Sequence, residues 1–405
     1  MKTSFLYTIY IYIVVLLPFI FCELSFFEVS NRGAISWLLL LLYIGVIIPN
    51  IRLLLKDDSK LVLLTFLYIV FQLIYIALTP PLLERYNPYN KLYYVLFAFS
   101  GLAFWILGYK KVPINGKCLL IVYALILLMC YFSIDKMNNI DYVGLFGTGD
   151  ETFFFIYQIL PYMLLWLYIP LLITDSNIIK YGIGGILLLL LLATLKRGPL
   201  VSLAFSLLVV FFANKKNIGT KWFVFSATAF LIILFIADFM GETTQFLAER
   251  FKGNASEGDI SNSRFGMWEI FFGSWIDSGP ISILVGNGFE SSHILMFRSG
   301  QSAKGSHNDF IELLYCYGIL GFWVFSLLVY EYYKKMRLSI KRNYDKKEII
   351  IFCFIIFFCT SFYSSNLTRF STVIFGMYFY YYVGLMQREL NSDKLKRIKG
   401  LSNGK

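Results

Sequence analysis

The chain has 405 residues, of which 58% are hydrophobic and 15% charged, with a mean hydropathy of +0.67 and a net charge of +11. A soluble domain averages about 45–50% apolar and about 25% charged residues, so the composition excludes a water-soluble globular protein and points to a chain solvated by lipid. The positive balance follows the membrane topology described below, which removes nucleic acid as a partner.

Runs of roughly 18–20 residues with almost no charge recur along the chain, each able to cross a hydrocarbon core of ~30 Å. They lie at 4–22, 34–51, 61–79, 92–109, 118–134, 152–174, 180–195, 199–213, 222–239, 308–333, 349–365 and 370–386. The pattern predicts an all-α polytopic membrane protein of about 12 transmembrane helices. The first run exceeds the ~7–15 apolar residues of a signal peptide, and no small-residue cleavage site follows it. Phe21 before Cys22 also spoils a lipoprotein-type site, so this run is expected to stay attached. The division is residues 1–239 with spans one to nine, a large loop at 240–307, spans ten to twelve within 308–386, and a basic tail at 387–405.

Lysine and arginine set the orientation. With the N-terminus inside, Lys2, the loops 52–60, 110–117, 215–221 and 334–347, Lys180 and the tail collect about two thirds of the 36 basic residues. The positive-inside rule counts these residues over short loops, so both termini are expected in the cytoplasm and the 240–307 loop outside it. The six cysteines (22, 118, 130, 316, 353 and 359) lie in or beside spans without CxxC spacing. They fit small apolar packing residues better than disulfides or zinc ligands. Two histidines without clustered partners give no metal site, and no P-loop, GxGxxG or internal repeat is present.

Span seven ends in "LLLLLLATLKRGPLVSLAF", where Lys196 and Arg197 form almost the whole link to span eight. Gly198 supplies the turn and Pro199 suits a first helical residue. A hairpin this tight holds Arg197 at the membrane surface on the side that lysine and arginine otherwise avoid. Arginine near a bilayer centre costs roughly 2.5–3.5 kcal/mol, less toward the interface. Snorkelling to lipid phosphates is one account of Arg197, and ligand binding the other.

The 240–307 loop is long enough to suggest function. After a polar start it carries a helix-like amphipathic piece, "SRFGMWEIFFGSWI", with Arg264 and Trp268 one turn apart. Then comes "GPISILVGNGFESSH", whose Gly286 and Gly288 permit a tight turn or close approach of a ligand. The loop 135–151, with Asp150 and Glu151, is the second candidate segment. At the end of the large loop stands "KGSHNDFIELLYCYGILGFW", which places His307 at the start of span ten. Ser306 or Asn308 suits a helix cap, and Asp309 and Glu312 suit the positive end of a helix dipole. Singly, each residue has a structural explanation. Together, Arg197, Arg264 and His307 fall on one side of the membrane. An exposed helix N-terminus, two arginines and a neutral imidazole would suit an anionic leaving group, such as a lipid-linked diphosphate, with a hydroxyl as attacker. Glu312 is the second candidate base, five positions beyond His307 on a different part of the helix.

These motifs, taken in order, resemble the O-antigen ligase and O-antigen polymerase superfamily of bacterial envelopes. They are "TLKRG" ending a span, "SRFGMWE" and "GPISILVGNGF" in a large outer loop, and "SHNDFIELLYCYGILGFW" with Gly318 and Gly321 as a late Gly-x-x-Gly. The motifs cover about 190–325, the rest matching by topology alone. Asp309 after His-Asn and Lys196 before the arginine depart from the usual pattern. The resemblance implies a C-type glycosyltransferase-like bundle with one large periplasmic loop. It implies metal-independent, cofactor-free glycosyl transfer in the inner membrane, with an undecaprenyl-diphosphate-linked oligosaccharide as donor. Membrane lipids, a flippase and a chain-length regulator are the implied partners. By position, Arg197 and Arg264 would bind the diphosphate, and His307 would activate the acceptor hydroxyl or steady the leaving group. Lys196, Asn308, Trp268, Gly286, Gly288 and Glu312 would line the substrate.

Polymerase and ligase share donor and chemistry and differ in acceptor, another lipid-linked repeat or the lipid A core. Richness in Phe, Tyr, Ile and Lys hints at an AT-rich gene of the kind common in polysaccharide clusters, which tilts the reading to an O-antigen or capsule polymerase. A lipid-oligosaccharide transporter is the main rival. Transporters concentrate ionisable groups near the midplane, whereas here the span centres are nearly free of charge, with Gln72 among few polar exceptions. A scaffold for envelope assembly would need neither the arginines nor His307.

Overall fold

The computed structural model describes residues 2–17, 32–56, 60–78, 93–116, 118–122, 124, 160–174, 176–193, 197–213, 264–289, 291–298, 306–363 and 371–402. Among these residues the regular structure is helical, with no strand. In hydrocarbon every backbone N–H and C=O needs an internal partner, and a helix provides one within its own segment. The helices are α1 (Lys2–Leu17), α2 (Arg32–Ile47), α3 (Ile51–Leu55), α4 (Lys60–Leu78), α5 (Tyr93–Tyr109), α6 (Leu160–Ile173) and α7 (Asn177–Ala193). They continue with α8 (Arg197–Ala213), α9 (Arg264–Ile276), α10 (Pro280–Val285), α11 (Ser291–Arg298), α12 (Asp309–Lys341), α13 (Lys347–Tyr363) and α14 (Ser371–Ser402). Three stretches are long and apolar enough to cross a membrane, Ser36–Leu55, Lys60–Leu78 and Asp309–Lys341, and several shorter apolar helices accompany them. The predicted run 222–239, most of 118–134 and the loop 135–151 lie outside the described residues.

Exposure along α4 shows the solvent this chain expects. Leu63, Leu67, Val70 and Ile74 form an exposed stripe at helical spacing, while Thr65, Tyr68 and Gln72 on the other side are buried. Apolar out and polar in is the reverse of a soluble helix, and it fits a lipid-facing surface.

The centre of the bundle is α5 crossing α14 at backbone contact. A methyl group added at Gly108 would stand 2.0 Å from the Tyr381 carbonyl oxygen, and one at Gly384 would stand 2.2 Å from that of Trp105. Each helix thus lends a glycine to the other's carbonyl. Without a hydrophobic force between helices in lipid, such close packing is what holds them together. Beside this crossing, the Tyr380 hydroxyl bonds to Thr65 Oγ1 at 2.6 Å and to the Tyr332 hydroxyl at 2.9 Å. One buried tyrosine therefore links α4, α12 and α14.

The α12 run is two helices, and this corrects the single span predicted at 308–333. Residues 310 and 325 would lie about 22 Å apart along one straight helix, yet the rings of Phe310 and Phe325 meet at 5.5 Å, and Phe310 also meets Phe322 at 6.4 Å. The chain reverses at Gly318, with φ 64° and ψ −165°. Residues 309–317 fold back along the start of 319–341, and the second arm, about 35 Å long at 1.5 Å per residue, crosses the bundle. The reversal frees the carbonyls of Tyr315 and Cys316 from their helical partners. Asn287 N–H and Gly288 N–H donate to them instead, each at 3.0 Å.

Two ends of the bundle follow. The upper end holds Gly318, α10 and Phe362. The lower end holds Lys110 after α5 and the turn after α12. Tyr168 of α6 donates to the Gly184 carbonyl of α7 at 3.1 Å, so these two helices form a hairpin that turns at the lower end, beside Gly116. Helix α7 therefore ends toward the upper end.

Candidate functional site

The site is built on the short turn before α12. Asn308 is the N-cap, and its Oδ1 accepts from the N–H of Phe310 at 2.9 Å and of Ile311 at 3.2 Å. The Asn308 carbonyl accepts from Glu312 N–H at 2.9 Å. Asn308 and Asp309 are buried. The exposed helix N-terminus expected as a phosphate site is therefore absent: the Asn308 side chain has taken the N–H groups an anion would need.

Ser306 is held by every polar group it owns. Its N–H donates to Glu312 Oε2 at 2.8 Å, and its carbonyl accepts from Trp268 Nε1 at 2.9 Å. Its hydroxyl donates to the Asn308 carbonyl at 2.7 Å and accepts from Asn308 N–H at 3.2 Å. His307 is the residue bridged by that hydroxyl. It sits at φ 53°, in the left-handed region that residues other than glycine enter at a cost. Of residues 306–309, His307 alone is half-buried while the other three are buried. The turn thus fixes the His307 backbone and keeps His307 half-buried among buried neighbours.

Glu312 sits at the back of this turn and is buried. Besides Ser306 N–H, it accepts the hydroxyl of Ser292 from α11 through Oε1. Cys316 Sγ lies 3.9 Å from the same oxygen. The carboxylate ties α11, the turn and α12 together. Trp268 does the equivalent from α9, with its ring edge-on to Phe362 at 5.9 Å, and Phe271 of the same helix meets Tyr315 at 5.3 Å.

Gly286 and Gly288, at φ 81° and 102°, sit against the Gly318 reversal. A methyl group at Gly286 would lie 2.3 Å from the Cys316 carbonyl oxygen, and one at Gly318 would lie 2.5 Å from Gly286 N. Of the two uses foreseen for these glycines, the tight turn and the close approach of a ligand, the structure displays close approach of backbone to backbone.

Arg197 and Arg264 are the first residues of α8 and α9. The predicted amphipathic piece of the large loop forms α9. Lys196 lies outside the described residues. The structure therefore gathers His307, Asn308, Trp268 and Glu312 around one turn, sets Gly286 and Gly288 against the break at Gly318, and starts two helices with arginine. Sequence reasoning missed Ser292 and the reversal at Gly318. The serine pair in "FESSH" and a glycine inside an apolar run were the available signals.

Residues 182–326 match the family model described as O-antigen ligase, and this match supports the O-antigen ligase and polymerase superfamily to which the motifs point. No curated protein matches the chain.

Proposed function

We propose that the protein is a membrane glycosyltransferase that polymerises lipid-linked oligosaccharide repeats, of an O-antigen or a capsule, on the periplasmic face of the bacterial inner membrane. Both termini would lie in the cytoplasm, and the donor would be an oligosaccharide on undecaprenyl diphosphate. One observation carries the reading. The region matched to the O-antigen ligase family contains Arg197 and Arg264, the first residues of α8 and α9, and His307, two residues before α12.

In the proposed reaction the acceptor hydroxyl oxygen bonds to the anomeric carbon as the bond from that carbon to the diphosphate oxygen breaks. His307 takes the hydroxyl proton, a contribution worth about 10²–10⁴-fold for a placed base. Arg197 and Arg264 hold the charge that appears on the departing diphosphate. The other residues of the turn fix His307 rather than react, and no metal or cofactor enters the scheme.

Transfer to the lipid A core is the second reading, favoured by the description of the matched family as a ligase. A deletion strain with its surface polysaccharide resolved on a gel separates the two. Core capped with a single repeat marks a lost polymerase, and bare core with long chains left on the carrier lipid marks a lost ligase. Unchanged glycan in every fraction contradicts both.

A further inference from the structure

We propose that a groove at the lower end of the bundle binds the phosphate headgroup of an anionic phospholipid from the cytoplasmic leaflet. The groove has a volume of about 650 Å³ and lies among the turn after α5, the end of α6, the turn before α13 and the middle of α14. Its shape is fixed by its walls. The Tyr381 hydroxyl donates to the Val112 carbonyl, and Asn115 N–H donates to the Tyr12 hydroxyl at 3.2 Å. A methyl group at Gly116 would stand 3.1 Å from Ile173, so the 112–116 segment lies directly on α6.

The lining combines three chemistries. Ile173 and Leu385 give apolar walls, Lys346 gives a half-buried cation, and Tyr381 and Tyr382 give rings of the kind that sit at headgroup depth. Thr174 adds a hydroxyl that is buried without a hydrogen-bond partner among the described residues. Leaving such a group unpaired costs about 1–3 kcal/mol, and a phosphate oxygen would satisfy it. One segment beside the groove is basic in sequence. The 110–117 segment carries Lys110, Lys111 and Lys117 with no carboxylate. Among the described residues the carboxylates nearby are Asp345, adjacent to Lys346, and Glu389 with Asp393, Glu389 feeling Lys111 as well. The sequence adds Asp175 between the lining residues Thr174 and Ser176. Basic pockets between helices on the cytoplasmic side suit anionic headgroups. Inorganic phosphate offers the same oxygens but no acyl chain for Ile173 and Leu385 to cover.

This inference uses the orientation proposed above but not the glycosyl transfer, so the two fail separately. The test is lipid retention by the purified full chain, measured by native mass spectrometry after exchange into mixed phosphatidylglycerol and phosphatidylcholine, with thermal melting alongside. Retention of phosphatidylglycerol over phosphatidylcholine by about fivefold is expected, the ratio that one basic residue near an anionic surface is worth. Lys346→Gln is expected to abolish most of that preference, and the near-isosteric Thr174→Val to weaken it. Equal retention of the two lipids, or a preference that survives in both variants, would overturn the proposal. Stabilisation by inorganic phosphate alone equal to that by phosphatidylglycerol would overturn the lipid assignment in favour of a free anion.

Discussion

Phe310 and Phe325 meet edge to face at 5.5 Å although fifteen residues separate them in one helical run. Only a reversal between them permits this contact, and Gly318 provides it. Gly318→Ala would place a methyl group 2.5 Å from backbone atoms of Gly286 and Leu284 at a positive φ. A loss of about 2–3 kcal/mol is expected, seen as a lower melting temperature in detergent together with lost activity. Gly45→Ala is the control, because nothing lies within 4 Å of its added methyl group. In a helix interior that change is expected to be neutral or stabilising by up to about 1 kcal/mol.

Glu312 accepts from Ser306 and Ser292, and we propose that it serves as a scaffold rather than a second base. Glutamine retains one acceptor oxygen and alanine retains none. Glu312→Gln is therefore expected to keep most activity, while Glu312→Ala loses stability by about 1–3 kcal/mol through unpaired buried groups. A reacting carboxylate would instead make the two variants equally inactive, and initial rates on folded protein distinguish these outcomes.

In the proposed reaction Trp268 acts at one remove, through the carbonyl of Ser306 at 2.9 Å. Trp268→Phe keeps the ring against Phe362 and removes the indole N–H. It is expected to lower kcat by about tenfold, as loss of one bond worth about 1.4 kcal/mol would. The apparent affinity for the lipid-linked donor is expected to change little, and a steady-state split of kcat against KM reads the difference.

Tyr332 and Tyr380 share a hydrogen bond at 2.9 Å inside the bundle. Interhelical bonds of this kind in membranes average about 0.6 kcal/mol with a maximum of about 1.7. The double-mutant cycle of Tyr332→Phe and Tyr380→Phe is expected to show coupling within that range by unfolding in mixed detergent. Zero coupling would mean that the two hydroxyls stabilise independently.

Among the described residues, helix positions were largely legible because apolar runs of membrane length leave little else for the chain to do. The runs 61–79 and 92–109 differ from α4 and α5 by a residue or so at each end. The reversal at Gly318 was not legible, since "LLYCYGILGFWVF" is as apolar on one side of the glycine as on the other. What decides it is the docking of Asn287 and Gly288 on the Tyr315 and Cys316 carbonyls, a contact across some thirty residues. Helix α14 extends to Ser402, well past the apolar run that ends near 386, because hydropathy marks the membrane and not the helix end. At the site, the sequence placed His307 at a helix start and offered Ser306 or Asn308 as the cap. It could not assign the second role of Ser306, whose hydroxyl spans His307 and holds it in the left-handed region.

His307 is proposed as the group that accepts the proton of the attacking hydroxyl. The most direct measurement is single-turnover transfer by purified protein from an undecaprenyl-diphosphate-linked repeat, comparing wild type with His307→Ala at matched folding. A loss of at least about 100-fold is predicted. Transfer by well-folded His307→Ala at the wild-type rate would contradict the assignment.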